Sequence, residues 1–136
     1  MVIISVDYGD VRTGVAACDK LQLLASPVTV IKQKDPELLS EEIKKICLEK
    51  KAEKIVLGLP KNMDGSEGFR AEACKEFAKL LSEKTGLSVD FQDERLTTVS
   101  AHNILNATDT RGKKRKAVVD AVSAVLILED YLRKQT

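Results

Sequence analysis

A nearly continuous run of β-branched residues at positions 2–6 ends abruptly at Asp7 and restricts the fold more than any other feature. Such a run is typical of a strand that is covered on both faces, as in the centre of a sheet between helices. Two further strand patterns follow closely, at residues 13–18 and 27–31. The short connections between these three segments predict an antiparallel meander.

The rest of the chain alternates helical and strand patterns. Asp35, Pro36 and Glu37 have the features of a helix start, namely an N-cap, a proline in the first turn and an early acid. The later elements are a strand at 54–58, a helix that Gly86 ends, a strand at 87–91, a helix from residue 97, and a last helix over roughly 115–134. Residues 106–116 carry no large apolar side chain and predict a mobile loop.

The order βββαβαβαα predicts an α/β fold in a single domain, residues 1–136. Three antiparallel strands followed by β-α-β units give a mixed five-stranded sheet with helices on both faces. The composition is that of an ordinary globular chain, with 43% hydrophobic and 32% charged residues. No apolar run approaches the ~20 residues of a membrane helix, so we expect no membrane association.

Cysteine usage and the first ten residues bear on the cellular compartment. The three cysteines are far apart and include no CxxC pair, which argues against a disulfide framework or a thiolate zinc site. The first residues have no basic region and meet an acid at Asp7, unlike a secretion signal. These features together predict a cytoplasmic protein.

Charge is divided unevenly along the chain. The 22 basic and 21 acidic residues nearly cancel, but residues 95–136 contain eight basic residues and four acidic ones. This third of the chain is the part suited to a polyanion such as nucleic acid. A solvated charge run is the usual interpretation of its basic stretch, but beside an acidic cleft a phosphate clamp is the better one. The residues concerned are Arg111, Lys113, Lys114, Arg115 and Lys116.

Acidic residues fall where predicted strands end. Asp7 follows the first strand, and Asp93 and Glu94 follow the fifth; parallel strands bring their carboxyl ends to one edge of a sheet. Asp120 lies on a small, apolar strip of the last helix, where a buried carboxylate is costly without compensation. Each acid alone is also explained as a turn residue, a local ion pair or an exposed acid. Together they favour a site for Mg²⁺ or Mn²⁺, which take oxygen ligands.

Four segments, in order, resemble the YqgF/RuvX family, whose members are described as Holliday-junction-resolvase-like nucleases and as maturation nucleases for the small-subunit rRNA precursor. They are DYGDVRTGVA at 7–16, GLPKNMDGS at 58–66, DERLTT at 93–98 and DAVSAVLIL at 120–128. Each motif is weak alone, but the four together are specific and extend over nearly the whole chain. The resemblance implies an RNase H-like fold.

The resemblance also implies the chemistry of the acids. Asp7, Asp120 and one carboxylate of the Asp93–Glu94 pair would be the catalytic, metal-binding residues, and the longer side chain favours Glu94. The implied reaction is phosphodiester hydrolysis with Mg²⁺ or Mn²⁺, acting on a small-subunit rRNA precursor, at the 5′ end of 16S rRNA, or on branched DNA. The chain would act as a monomer or a homodimer.

Candidate substrate contacts lie near these acids. Arg12 could steer a phosphate, although an ion pair with Asp10 or Asp93 is an equal alternative. The other candidates outside the basic stretch are Lys61, Asn62, Arg95 and Thr97. Lys61 and Asn62 precede a helix whose first amides can hold a phosphate.

Two other functions fit parts of the pattern. A phosphotransferase of the sugar-kinase and actin superfamily also begins with a strand and Asp-x-Gly, but it needs two such domains to enclose ATP. A non-catalytic nucleic-acid-binding or ribosome-assembly factor could use the same fold. Acids at all three expected places favour the nuclease over this second alternative.

Overall fold

Five strands form one mixed sheet, with helices on both of its faces. The computed structural model describes residues 1–21, 24–59, 68–93 and 112–134, and gives the backbone alone at 69, 112–121 and 134. The elements in these ranges are β1 (Val2–Asp7), β2 (Arg12–Cys18), β3 (Ala25–Lys32), α1 (Pro36–Lys50), β4 (Ala52–Leu59), α2 (Phe69–Thr85), β5 (Ser88–Asp93) and α3 (Gly112–Lys134).

The strand order is β3-β2-β1-β4-β5, with β1 in the middle. β1 pairs antiparallel with β2 and parallel with β4, and β4 pairs parallel with β5. β2 also pairs antiparallel with β3, so the meander and the parallel β-α-β units are both confirmed. The carboxyl ends of β1, β4 and β5 lie at the same edge of the sheet.

The central strand is buried on both faces, as its β-branched sequence predicts. Ile4 and Val6 belong to the core that α1 and α2 cover. Ile3 belongs to a second core, which α3 covers through Ile127 and Leu128. Because side chains alternate along a strand, odd positions of β1 face α3 and even positions face α1 and α2.

The predicted start and end signals of the first two helices are confirmed. The Asp35 carboxylate accepts a hydrogen bond of 3.0 Å from the Glu37 amide at the start of α1. Gly86, with a φ of 73°, follows the last residue of α2 in the left-handed conformation that suits glycine. The helix α1 also buries Cys47, and this burial raises the pKa of its thiol to about 11.

The last helix begins earlier than predicted. α3 starts at Gly112, so residues 112–116 are helical rather than part of a mobile loop. Lysine and arginine are good helix formers, and the first turn of a helix needs no apolar partner to form beside a well-packed continuation. The predicted helix from residue 97 and the rest of the predicted loop lie outside the described residues. No helix in the described part of the chain is long and apolar enough to cross a membrane.

A cluster of polar side chains links the C-terminal half of α3 to β4 and β5. The Tyr131 hydroxyl donates to the Asp90 carboxylate and accepts a hydrogen bond of 2.8 Å from Lys54 Nζ. Lys54 Nζ also lies 3.0 Å from Asp90 Oδ2. Hydrogen bonds from Tyr131 and Lys54 lower the pKa of Asp90, and hydrogen bonds to Tyr131 and Asp90 raise the pKa of Lys54.

Replacing Tyr131 with phenylalanine tests this cluster, because it removes the shared hydroxyl and keeps the ring. We expect the free energy of unfolding at neutral pH to fall by ~1 kcal/mol, since the partners are partly exposed. The lowered pKa of Asp90 means that its stabilisation is present above the ordinary carboxyl pKa of about 4 and is lost below it. Urea denaturation should therefore show a smaller difference between wild type and Tyr131→Phe in acid. An equal difference at both pH values would contradict the role of Asp90.

Candidate active site

Asp7 is the last residue of β1, at the edge where the parallel strands end. Its alternation with Ile3 and Ser5 places it on the face of the sheet that α3 covers. It is half-buried, and its partner position on β2 is Gly14. Because Gly14 has no side chain, it does not fill the space beside Asp7.

The register between β1 and α3 brings Asp120 to the same level as Asp7. Ser5 Oγ donates a hydrogen bond of 2.6 Å to the Ala124 carbonyl. Asp7 lies two residues further along β1, or about 6.6 Å. Asp120 lies one turn before Ala124, or about 6 Å along a helix that runs in the opposite direction. The fold thus brings together the backbone positions of two acids that the sequence analysis singled out.

The register of β5 determines which face of the sheet Asp93 occupies. Asp93 pairs with Leu59, which belongs to the core under α1 and α2, so Asp93 occupies that face of the sheet. Its neighbour Gln92 pairs with Gly58 and is buried on the opposite face, the one that carries Asp7. The two faces are separated by the sheet, so the register does not bring Asp93 to Asp7. Glu94 lies outside the described residues.

Residues of α2 hold the turn after Asp7 in place. Arg70 Nη1 donates to Asp10 Oδ1 at 2.6 Å, and Nη2 donates to the Tyr8 carbonyl at 2.9 Å. The Tyr8 ring stacks on Phe77, with ring centroids 4.2 Å apart, and burial raises the pKa of its hydroxyl. These contacts fix the residues that directly follow Asp7.

Sequence reasoning missed Arg70, although one signal was present. Arg70 is the second residue of α2, and the N-terminus of a helix disfavours positive charge. A basic residue at such a position indicates a partner that compensates, and Asp10 and the Tyr8 carbonyl are those partners.

Arg12 begins β2 on the other side of the same turn. Its Nε is buried and has no hydrogen-bond partner within the described part of the chain. Asp10, one of the two alternative ion-pair partners of Arg12, pairs with Arg70. Gly9 is required by the turn itself, since a Cβ there would lie 2.1 Å from the Arg12 carbonyl oxygen.

The remaining candidates are only partly described. Lys61, Asn62, Glu94, Arg95, Thr97 and Arg111 lie outside the described residues. The backbones of Lys113, Lys114, Arg115 and Asp120 are in α3, but their side chains are not described. In the described ranges no three His, Cys, Asp or Glu side chains cluster as metal ligands. Of the favoured acids, only Asp7 has a described side chain, so these ranges cannot contain the full set.

Solved structures of low sequence identity share this fold. The Thermus thermophilus RuvC in complex with a Holliday junction substrate aligns with a TM-score of 0.63 at 12% identity, over 100% of this chain and 97% of that one. The fowlpox virus Holliday junction resolvase aligns with a TM-score of 0.58 at 14% identity, over 98% and 99%. The predicted RNase H-like fold is confirmed.

Relatives in sequence cover nearly the whole chain. A protein from Agathobacter rectalis is 42% identical over 135 residues, which are 97% of this chain and 94% of the relative. One from Halothermothrix orenii is 45% identical over 135 residues, or 99% and 96%. Both are named "Putative pre-16S rRNA nuclease".

The profile of the family described as "RuvX: Holliday junction resolvase" matches residues 1–134, which include all four motifs of the sequence analysis. With this match and relatives above 40% identity, the resemblance seen in the motifs is confirmed. The chain belongs to the RuvX family.

Proposed function

We propose that the chain is a single nuclease domain, residues 1–136, that hydrolyses phosphodiester bonds in structured nucleic acid. The observation that carries the proposal is the shared level of Asp7 on the central strand and Asp120 on α3. The names of the relatives favour a small-subunit rRNA precursor, cut at the 5′ end of 16S rRNA, as substrate. Branched DNA is the second candidate, favoured by the description of the family.

The acids suit a divalent cation. Asp7, Glu94 and Asp120 would supply carboxylate oxygens, which are the ligands that Mg²⁺ and Mn²⁺ prefer. Glu94 is the better choice from its pair because the register commits Asp93 to the opposite face of the sheet. When bound, such cations lower the pKa of a water and stabilise the leaving oxygen.

Residues around Asp7 orient the substrate and the acid. Arg12 would bind a phosphate, since its buried Nε has no partner among the described residues and an anion would give it a charge-assisted hydrogen bond. Arg70 and the Tyr8–Phe77 stack keep the end of β1 in place. Further proposed contacts are Lys61, Asn62, Arg95, Thr97 and Arg111.

The start of α3 is a second place for phosphate. Lys113, Lys114 and Arg115 occupy its first turn, where the positive end of the helix dipole and amides without intrahelical partners also favour anions. These residues are close in sequence to Asp120, two turns before it or less. They would contribute affinity for the nucleic-acid backbone and no step of the chemistry.

The triple variant Lys113→Ala, Lys114→Ala, Arg115→Ala measures this contribution. Each lost phosphate contact should reduce the salt slope by ~0.9 on duplex or ~0.7 on single strands. Binding should therefore weaken for every sequence and depend less on salt, while the rate at saturating substrate changes little. Lys34, Lys45 and Lys50, exposed beside or on α1, give a control variant of equal charge. If both triple variants keep the wild-type slope and affinity, the start of α3 does not bind phosphate.

A cleavage assay tests the proposed function as a whole. The purified chain is offered a 5′-extended 16S rRNA precursor and a synthetic four-way DNA junction, each with Mg²⁺ or with Mn²⁺. We expect cleavage of the RNA that disappears on chelation. Cleavage of the junction alone would favour resolution of branched DNA. Binding of these nucleic acids without cleavage in either metal would favour the non-catalytic assembly factor and overturn the nuclease.

A further inference from the structure

A buried serine connects β1 to α3 one layer below the candidate site. Ser5 is 0% exposed, and its hydroxyl donates to the Ala124 carbonyl over 2.6 Å. It precedes Asp7 by two residues, and Ala124 follows Asp120 by one helical turn. The bond therefore lies directly beneath the level that the backbone positions of the two acids share.

The side chains that pack α3 against the sheet become smaller toward this layer. Further from the site, bulky Ile127, Leu128 and Tyr131 of α3 form one core with Ile3 and with Val56, which lies level with Ser5. Interlocking side chains of this size fix the position of a helix through shape.

The layer at Ser5 contains mostly small side chains beside Val56. Ser5 pairs with Ala16 on β2, and Ser123 and Ala124 are the buried residues of α3 at this height. Side chains of this size leave shallow ridges that resist sliding weakly. Ser123 adds no second bond of this kind, because its hydroxyl has no hydrogen-bond partner within the described residues. The directional bond from Ser5 therefore adds to what fixes the helix here.

We propose that Ser5 is a positioning residue, which sets the height of α3 against β1 and so the separation of Asp7 from Asp120. The inference rests on the proposed function of these two acids as cation ligands. In a helix the Ala124 carbonyl also accepts from the amide four residues later, so loss of the serine hydroxyl leaves it satisfied and the helix able to shift. Mg²⁺ demands near-ideal ligand geometry, so a small shift weakens the site.

The variant Ser5→Ala tests this role with two readouts. In thermal unfolding without substrate, the Mn²⁺ concentration that gives half of the metal-induced stabilisation should rise about tenfold. In cleavage of the 16S precursor, kcat should fall roughly ten- to a hundredfold through misplacement of the acids. KM for the RNA should stay unchanged, because phosphate contacts supply the affinity.

Ser40→Ala is the matched control. Ser40 is also 0% exposed, and its hydroxyl donates to a helix carbonyl, that of Glu37, at 2.7 Å. It belongs to α1, on the other face of the sheet. The variant should lose stability as Ser5→Ala does while the metal midpoint and kcat stay at wild-type values.

The outcomes separate this inference from the proposed function. A wild-type chain that neither cleaves nor is stabilised by Mn²⁺ refutes the metal nuclease itself. A wild-type chain that does both, beside a Ser5→Ala variant with unchanged midpoint and kcat, refutes the role of Ser5 alone. If Ser5→Ala does not fold, Ser5→Cys keeps a small side chain, slightly larger than serine, with a weaker donor. It should shift both readouts in the same direction, and wild-type values would overturn the inference.

Discussion

Replacing Asp7 with asparagine is expected to lower phosphodiester hydrolysis by orders of magnitude while the fold stays intact. Asparagine keeps the shape of the side chain at the end of β1 but removes the negative charge that a divalent cation requires. The loss of one charge also relieves repulsion among the acids in the absence of metal, so the variant should be no less stable than the wild type. Cleavage rates at saturating Mg²⁺ or Mn²⁺, measured beside urea denaturation, check both expectations.

Asp130 gives a control for the change of charge. It lies on α3 far from the site end and pairs with Arg133 at 3.0 Å. Asp130→Asn makes the same chemical change at a partly exposed position and should leave the rate unaltered. Wild-type cleavage by Asp7→Asn would remove Asp7 from the site and with it the proposed mechanism.

The second large effect is a difference in cleavage rate between variants of the neighbouring acids Asp93 and Glu94. Glu94→Gln should lower the cleavage rate by orders of magnitude, whereas Asp93→Asn should keep most of it. The reason is the pairing of Asp93 with Leu59, which commits Asp93 to the face under α1 and α2. Measuring kcat and the melting temperature of both variants side by side ranks the two acids by their effect on cleavage. The reverse ranking would mean that β5 ends in a different register during catalysis.

The sheet could be predicted from sequence because its signals are local. The β-branched run of β1 shows burial on both faces, and Asp35 and Gly86 mark helix boundaries through their own backbone preferences. The order of the strands then follows from short connections and from crossover helices. Asp7 and Asp120 stood out for the same reason, since a carboxylate next to apolar neighbours is visible in the sequence.

Other parts of the site depend on contacts between distant residues. Ser5 is an ordinary small residue until α3 packs over it, and the two bonded residues are 119 positions apart in the chain. The choice between Asp93 and Glu94 depends on register, where a shift of one residue exchanges the faces. The partner of Asp10 is Arg70, 60 residues away, and only the packed structure brings that guanidinium to the turn.

The attachment of α3 to β1 has a consequence for when the chain can become active during its own synthesis. The N-terminus of a polypeptide leaves the ribosome first, so β1–β5 and the core under α1 and α2 emerge before α3. Asp7 is then exposed at the end of its strand with no acid from α3 beside it. The proposed ligand set is completed when α3 docks on the sheet. A nascent chain would thus stay inactive as a nuclease until α3 leaves the ribosome, and cutting would wait for the synthesis of that helix.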